Sequence, residues 1–274
     1  MALRQNTSEI SKHLLSITKM STCCEILEIL LNAELDSKPL SNFEDDVLNY
    51  YNDKKRRCEG ESFKNVSCEH ISSQIQLLKK LEFIENEHLS SLGKRVASRC
   101  ANGEWDSFVS FTFFKNMYSH NAVFRDFVKM IREGSSDYEK IIDDIKKLHG
   151  LNKYAEGGLR SWSKSLSVYY TSGPVVKFDP GLEGKALDLL SMKDLETVLN
   201  TLEMDAVKES NLYSDLDLFF SKGTLSLDIL QKIVNILVKE NYLELHRGKF
   251  DINTIHIKKP VMLENCTLGQ YLSK

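Results

Sequence analysis

VSCEHISSQIQLLKKLEFIENEHLSSLGKRVASRC, residues Val66–Cys100, passes from a helical repeat into a short β-ribbon and back into a helix. Ser67 stands where its hydroxyl can accept a first-turn amide as an N-cap. Ile71, Ile75, Leu77, Leu78 and Leu81 then recur at helical spacing. Phe83-Ile84 is a brief apolar run and Glu85-Asn86-Glu87-His88 a polar turn. Leu89 to Ala97 reads as a return strand passing into a further helix.

That order of helix, strand, tight turn, strand and helix resembles the recognition helix and wing of the winged-helix superfamily. The resemblance is carried by LLKKLEFIENEHLSSLGKRVA, in which a leucine-rich third helix ends in a hairpin and a Leu-x-x-x-Gly-Lys start follows. It covers roughly residues 20–100. It implies a compact three-helix unit with a tendency to meet DNA or protein partners. On the helix itself Ser73 and Gln74 are expected to read base edges, and Lys79 and Lys80 to touch backbone phosphate. The same residues suit any solvent-facing helix. Lys94, Arg95 and Arg99 add positive charge after the wing.

Working back toward the N-terminus, Ile10, Leu14, Leu15 and Ile17 form a short helical stripe, and Ile26, Leu27, Ile29, Leu30 and Leu31 a stronger one. A polar break precedes a helix near Phe43–Asp53, and Lys54-Lys55-Arg56-Arg57 follows it. Four cations just past a helix can complement its C-terminus, lie in a solvated loop, or grip phosphates ahead of the recognition helix.

Working forward, Trp105, Phe108, Phe111, Phe113 and Phe114 crowd a segment with no basic residue before Lys115, which predicts a packed inter-domain core rather than a base-stacking platform. Residues 121–180 read as a second, divergent copy. AVFRDFVKMIREG is an amphipathic helix closed by Gly134, and SDYEKIIDDIKKLHG is another, capped by Ser136 or Asp137 and stopped by Gly150. YAEGGLRSWSKSLSVYY is the third helix, with Val175-Val176-Lys177-Phe178 as the strand after it. Arg160, Ser161, Ser163, Lys164 and Ser165 are expected on or near its exposed face, where arginine can fork to guanine or phosphate. Gly157-Gly158 weakens the start of that helix and Pro174 interrupts the hairpin, two departures from the family pattern. The two glycines lack the spacing of a phosphate-binding loop.

From Gly181 the chain turns acidic. A helix from Leu227 to about Glu240, the strand Tyr242–Leu245, a turn at His246-Arg247-Gly248 and a strand Lys249–Ile257 repeat the opening signature and predict a third module. Its recognition-type helix offers Asp228, Gln231, Lys232, Asn235 and Lys239, a set suited to protein docking or dimerisation rather than to phosphate. The tail Val261–Lys274 is expected on a neighbouring element or on another chain, which leaves a homo-oligomer open.

Length and composition agree with several small folded modules: 274 residues, 42% hydrophobic and 27% charged, with only four prolines. The fold class expected is mainly α with short β-hairpin wings (α+β), in modules over residues 1–104, 105–180 and 181–274. Lys+Arg against Asp+Glu is 14 to 16, 11 to 9 and 11 to 14 across those three segments, so only the middle one is basic. A net charge of −3 excludes indiscriminate coating of nucleic acid, and any DNA contact must be a local patch. No apolar run reaches the roughly 20 residues of a membrane span, and no secretory h-region opens the chain, so a cytoplasmic location is expected. Five of the six cysteines precede residue 101, but no C-x-x-C pair occurs. Reduced, hydrophobic cysteines are expected, and neither metal nor cofactor.

No catalytic constellation is legible. Asp45-Asp46, Asp143-Asp144 and Asp215/Asp217 sit in helical, lysine-rich surroundings typical of solvated faces. The leading expectation is a non-catalytic protein that binds double-stranded DNA through its middle module, with the first as a further contact. It would serve as accessory subunit of a DNA-processing or antiviral defence complex beside an ATPase or nuclease. Accessory subunits of chromosome-structuring ATPases look similar, and from them comes a rival expectation of protein–protein assembly without DNA affinity. A transcription regulator, acting as a symmetric dimer on a palindrome, is the third.

Overall fold

The computed structural model describes residues 18–36, 42–60, 63–100, 106–133, 136–172, 175–202, 206–248, 253–258 and 260–274. The opening stripe Ile10–Ile17, Trp105, Gly134, Pro174 and the first part of the Lys249–Ile257 strand lie outside them. The chain is mainly helical with small antiparallel sheets, an α+β protein as expected, and it divides into two compact units, Met1–Phe178 and Asp179–Lys274. The first two expected segments therefore share one unit.

The first half of the N-terminal unit comprises α1 (Met20–Leu35), α2 (Phe43–Glu59), α3 (Cys68–Lys80), a ribbon of β1 (Ile84–Glu85) and β2 (His88–Leu89), and α4 (Ser91–Cys100). Ser67 caps α3 by accepting from the His70 amide at 3.3 Å. The ribbon closes through Asn86 and Glu87, both left-handed at φ 48° and 66°, the backbone that a two-residue hairpin turn demands. Ile71, Ile75, Leu78, Leu81 and Phe83 are buried, as are Ile26, Leu27 and Leu30 of α1, and α1 packs against α3. Gly93 lets α4 descend onto the ribbon, since a Cβ there would meet the Phe83 carbonyl oxygen at 2.1 Å.

The four-cation run corrects one expectation. It lies inside α2, in its last two turns, rather than after the helix. Lys54 and Lys55 reach across to Glu28 and Glu25 of α1 at 2.7 and 2.9 Å, and Lys55 also faces Glu59 one turn on. Those pairs and the favourable placing of cations near a helix C-terminus carry the helix on to Gly60.

Helix α5 (Ser107–His120), capped by Asp106, is buried almost all round. Phe113 meets Phe83 edge-on at 4.8 Å and tilts against Trp162 at 6.0 Å, while Trp162 Nε1 donates to Thr18 Oγ1 at 3.2 Å. The aromatic segment is thus a shared core between the two halves of this unit.

The second half contains α6 (Ala122–Glu133), β3 (Ser136–Asp137), α7 (Tyr138–His149), α8 (Lys153–Ser165), β4 (Tyr169–Ser172) and β5 (Val175–Phe178). Its sheet runs β3-β5-β4, wholly antiparallel. Asp137 caps α7 and Gly150, left-handed at φ 62°, ends it. Asn152 caps α8, which runs unbroken through Gly157-Gly158 because Leu159 and Trp162 anchor its inner face in the core. The glycines therefore lie within the helix and relieve no turn.

The C-terminal unit has α9 (Pro180–Leu189), α10 (Met192–Thr201), β6 (Val207–Lys208), α11 (Glu209–Asp215), a π-helical turn (Leu216–Ser221), α12 (Leu227–Lys239), β7 (Leu243–His246), β8 (Thr254–Ile257) and α13 (Leu268–Leu272). Its sheet runs β6-β8-β7. Both units thus contain the order helix, strand, helix, helix, strand, strand, with the third strand central. The tail packs within its own unit: Leu268 N donates to Leu190 O, Met192 N to Cys266 O, and Asn200 brackets Val261 through both its amide and its carbonyl.

Candidate nucleic-acid interface

A helix packed on one face divides its polar residues into two populations, and α3 shows the consequence. Gln74 is fully enclosed, its Oε1 accepting from the Lys19 amide at 3.1 Å and the Cys23 thiol at 3.3 Å. Ser73 is buried and donates to the Glu69 carbonyl. These two expected base-reading residues face inward, a correction with a simple cause. The turn from Ile71 to Ile75 is buried over more than a narrow stripe, so Gln74 satisfies the start of α1 while Ser73 turns back on its own helix. Lys79 is exposed, with its ammonium 5.5 Å from the Phe43 ring centroid, and Lys80 is half-buried with its pKa lowered by desolvation. The adjoining ribbon presents Glu82, Glu85 and Glu87 to solvent, a charge that opposes phosphate.

The remaining cations of the first half are largely engaged. Besides the Lys54 and Lys55 pairs, Arg56 donates to Asn65 Oδ1 at 3.0 Å and approaches Asp53 at 3.6 Å. Arg57 is exposed beside a groove of about 370 Å³ between α1 and α2. Lys94 pairs with Glu34 at 2.9 Å. Burial pushes the Glu34 pKa up, but the Leu89 amide and Lys94 outweigh it, so the carboxylate stays below its ordinary range. Arg95 stacks over Phe108.

On α8 the expected residues separate in the same way. Arg160 turns back along its own unit, bonding both oxygens of Glu139 at 3.2 and 2.9 Å, Glu156 at 2.9 Å and the Tyr138 ring at 4.7 Å. Burial alone would discourage its charge; Glu139 and Glu156 reverse that and hold the guanidinium firmly protonated. Glu156 is held below the carboxylate range by Lys146 and then Arg160. Arg160 is thus the centre of an ion network rather than an open fork. Ser163, expected on the exposed face, is fully buried, and its hydroxyl has no hydrogen-bond partner among the described residues.

What α8 presents to solvent is Lys153, Tyr154, Gly157, Ser161 and Lys164. Residues three and four apart lie one above another on a helix, so these five form a single stripe. Tyr154 is 74% exposed, a Cβ at Gly157 would touch nothing within 4 Å, and neither Lys153 nor Lys164 has a partner among the described residues. The stripe is small in its middle, basic at both ends and aromatic near its start. Lys177 is exposed on β5 nearby in sequence. Lys153 and Tyr154 escaped the sequence reading; Asn152 as the cap, which fixes where the helix starts, was the signal that finds them.

In the C-terminal unit the outward face of α12 carries Asp228, Gln231, Lys232, Asn235 and Lys239, all exposed, with Leu227 53% exposed at its start. Leu218 and Phe219 are also solvent-facing, on the π-helical turn. Among the described residues no helix is long and apolar enough to cross a membrane, and no cluster of three metal-ligating side chains occurs. Cys23, Cys24 and Cys100 are buried and Cys58 and Cys68 exposed, all unbridged. No protein-family model, no curated protein and no solved structure matches this chain.

Proposed function

We propose that the chain is a tandem winged-helix protein whose N-terminal unit contacts double-stranded DNA through the outward stripe of α8, acting by contact rather than catalysis as an accessory subunit of a DNA-processing or defence complex. The repeated helix-strand-helix-helix-strand-strand order with a central third strand supports the winged-helix reading, which makes α8 the recognition-type helix. The observation that carries the DNA reading is the pair of lysines, without partners among the described residues, that bracket the small middle of that stripe. Lysine supplies phosphate contacts without sequence preference, and Gly157 and Ser161 permit close approach of a backbone. Residues 1–178 hold 25 Lys+Arg and 24 Asp+Glu, whereas residues 179–274 hold 11 and 15, so the acidic C-terminal unit is the less suited to phosphate.

Fluorescence anisotropy with a mixed-sequence duplex across a salt series tests this. Replacing Lys153 and Lys164 together by alanine should weaken binding uniformly across sequences and flatten the log–log salt slope by about 2. An unchanged slope removes α8 as the contact.

A second reading, protein–protein assembly, is favoured by the exposed Leu218, Phe219 and Leu227 of the acidic unit. It predicts co-purification with an ATPase or nuclease partner and no measurable duplex affinity for the isolated chain. A transcription regulator would instead give a dimer protecting a palindrome.

A further inference from the structure

The solvent face of α4 is basic: it carries Lys94, Arg95 and Arg99 together with Ser91 and Ser98, and no acid. Lys94 is taken up by Glu34. Arg95 and Arg99 are arranged differently. Their guanidinium carbons lie 4.8 and 4.7 Å from the centre of one ring, Phe108 at the start of α5. Two cations one helical turn apart repel, yet both are held here by the negative face of a shared aromatic ring. A contact of this kind uses none of the five N–H donors of a guanidinium. Arg99 donates to Asp106 Oδ2 at 2.8 Å, while Asp106 Oδ1 caps α5, so the acid locks the arrangement in place. Arg95 has no carboxylate partner among the described residues.

We propose that Arg95 and Arg99, pre-ordered by Phe108, are a second contact point for the phosphate backbone of duplex DNA, with α4 rather than α3 or its acidic ribbon serving the first half of the unit. Arginine is the residue suited to such a contact, since its planar fork matches phosphate in two parallel hydrogen bonds. Ordering both side chains on one ring lowers the entropy lost when phosphate arrives. The inference rests on the duplex reading above, and two measurements separate them.

The first titrates inorganic tripolyphosphate into the full chain and follows the side-chain Nε–H resonances of Arg95 and Arg99, assigned with Arg95→Gln and Arg99→Gln. Both should shift along one binding curve, and Phe108→Leu, which keeps the charges but loses the ring, should weaken that curve several-fold. The second measures duplex affinity against salt: Arg95→Gln with Arg99→Gln should flatten the slope by about 2, independently of Lys153 and Lys164. If the wild-type chain binds duplex but the double variant keeps its slope, or if tripolyphosphate leaves both resonances in place, the proposal is overturned. If the wild-type chain ignores duplex while tripolyphosphate still moves both resonances, the duplex reading falls and the arginine pair stands as a phosphate site.

Discussion

Gly93→Ala should destabilise the N-terminal unit by about 1–4 kcal/mol, although it places a better helix former in a helix. The added Cβ would lie 2.1 Å from the Phe83 carbonyl oxygen, 3.0 Å from its carbon and 3.3 Å from Leu89 Cδ2. Carbon and oxygen settle at about 3.3–3.6 Å, so α4 or the ribbon must retreat by about 1.2 Å or more. The obstructing atom is backbone and cannot rotate aside. That same carbonyl accepts from the Ser90 amide at 3.0 Å, and the Gly93 amide donates to Ser90 Oγ at 2.9 Å, so retreat strains both. Overpacking costs about 1–3 kcal/mol and a weakened buried hydrogen bond about 1–2, against roughly 1 gained in helix propensity. Gly157→Ala is the internal control. It too is helical, but its Cβ meets nothing within 4 Å, so it should stabilise by up to about 1 kcal/mol. Urea unfolding followed by tryptophan fluorescence reads the right unit, because both tryptophans, Trp105 and Trp162, fall within residues 1–178. A lowered midpoint at unchanged slope is expected for Gly93→Ala and a raised one for Gly157→Ala. A Gly93→Ala chain as stable as wild type would refute the close approach of α4 to the ribbon.

Gln74→Ala should cost about 1–3 kcal/mol in the same urea assay, since it strips the acceptor from the Lys19 amide and the Cys23 thiol, and should leave duplex affinity unchanged. A loss of affinity with no loss of stability would return Gln74 to the surface. Acid should loosen the N-terminal unit. His149 holds Asp126, and Lys146 with Arg160 holds Glu156, below their ordinary carboxylate pKa values. Carboxylates depressed in the folded state contribute stability that is complete above their unfolded pKa of about 4–4.5 and is lost as pH falls through the lower folded values. The tryptophan-monitored urea midpoint should therefore hold between pH 7 and 5 and decline below about 4.5, less steeply in Arg160→Gln. A midpoint flat down to pH 3 would contradict the ion network.

The sequence by itself determined the local elements. Ser67, Asp106, Asp137, Asn152, Ser191 and Ser226 each cap a helix where a polar residue precedes an apolar period, because capping and hydrophobic spacing act within a few residues. The ribbon after α3 and the hairpin after α12 were legible for the same reason. The two-residue strands β3 and β6 were not, since a strand that short has no period and exists only where β5 or β8 arrives to pair with it. Tertiary structure alone decided which polar side chains are free. Arg160 and Lys164 look alike in a helical run, yet Arg160 folds back on Glu139, a residue 21 positions away, and the Lys164 side chain has no partner among the described residues. Ser161 and Ser163 differ by two positions and by the whole thickness of α8. Charge neutralisation and enclosure depend on partners brought from distant parts of the chain, and no reading of nearest neighbours contains them.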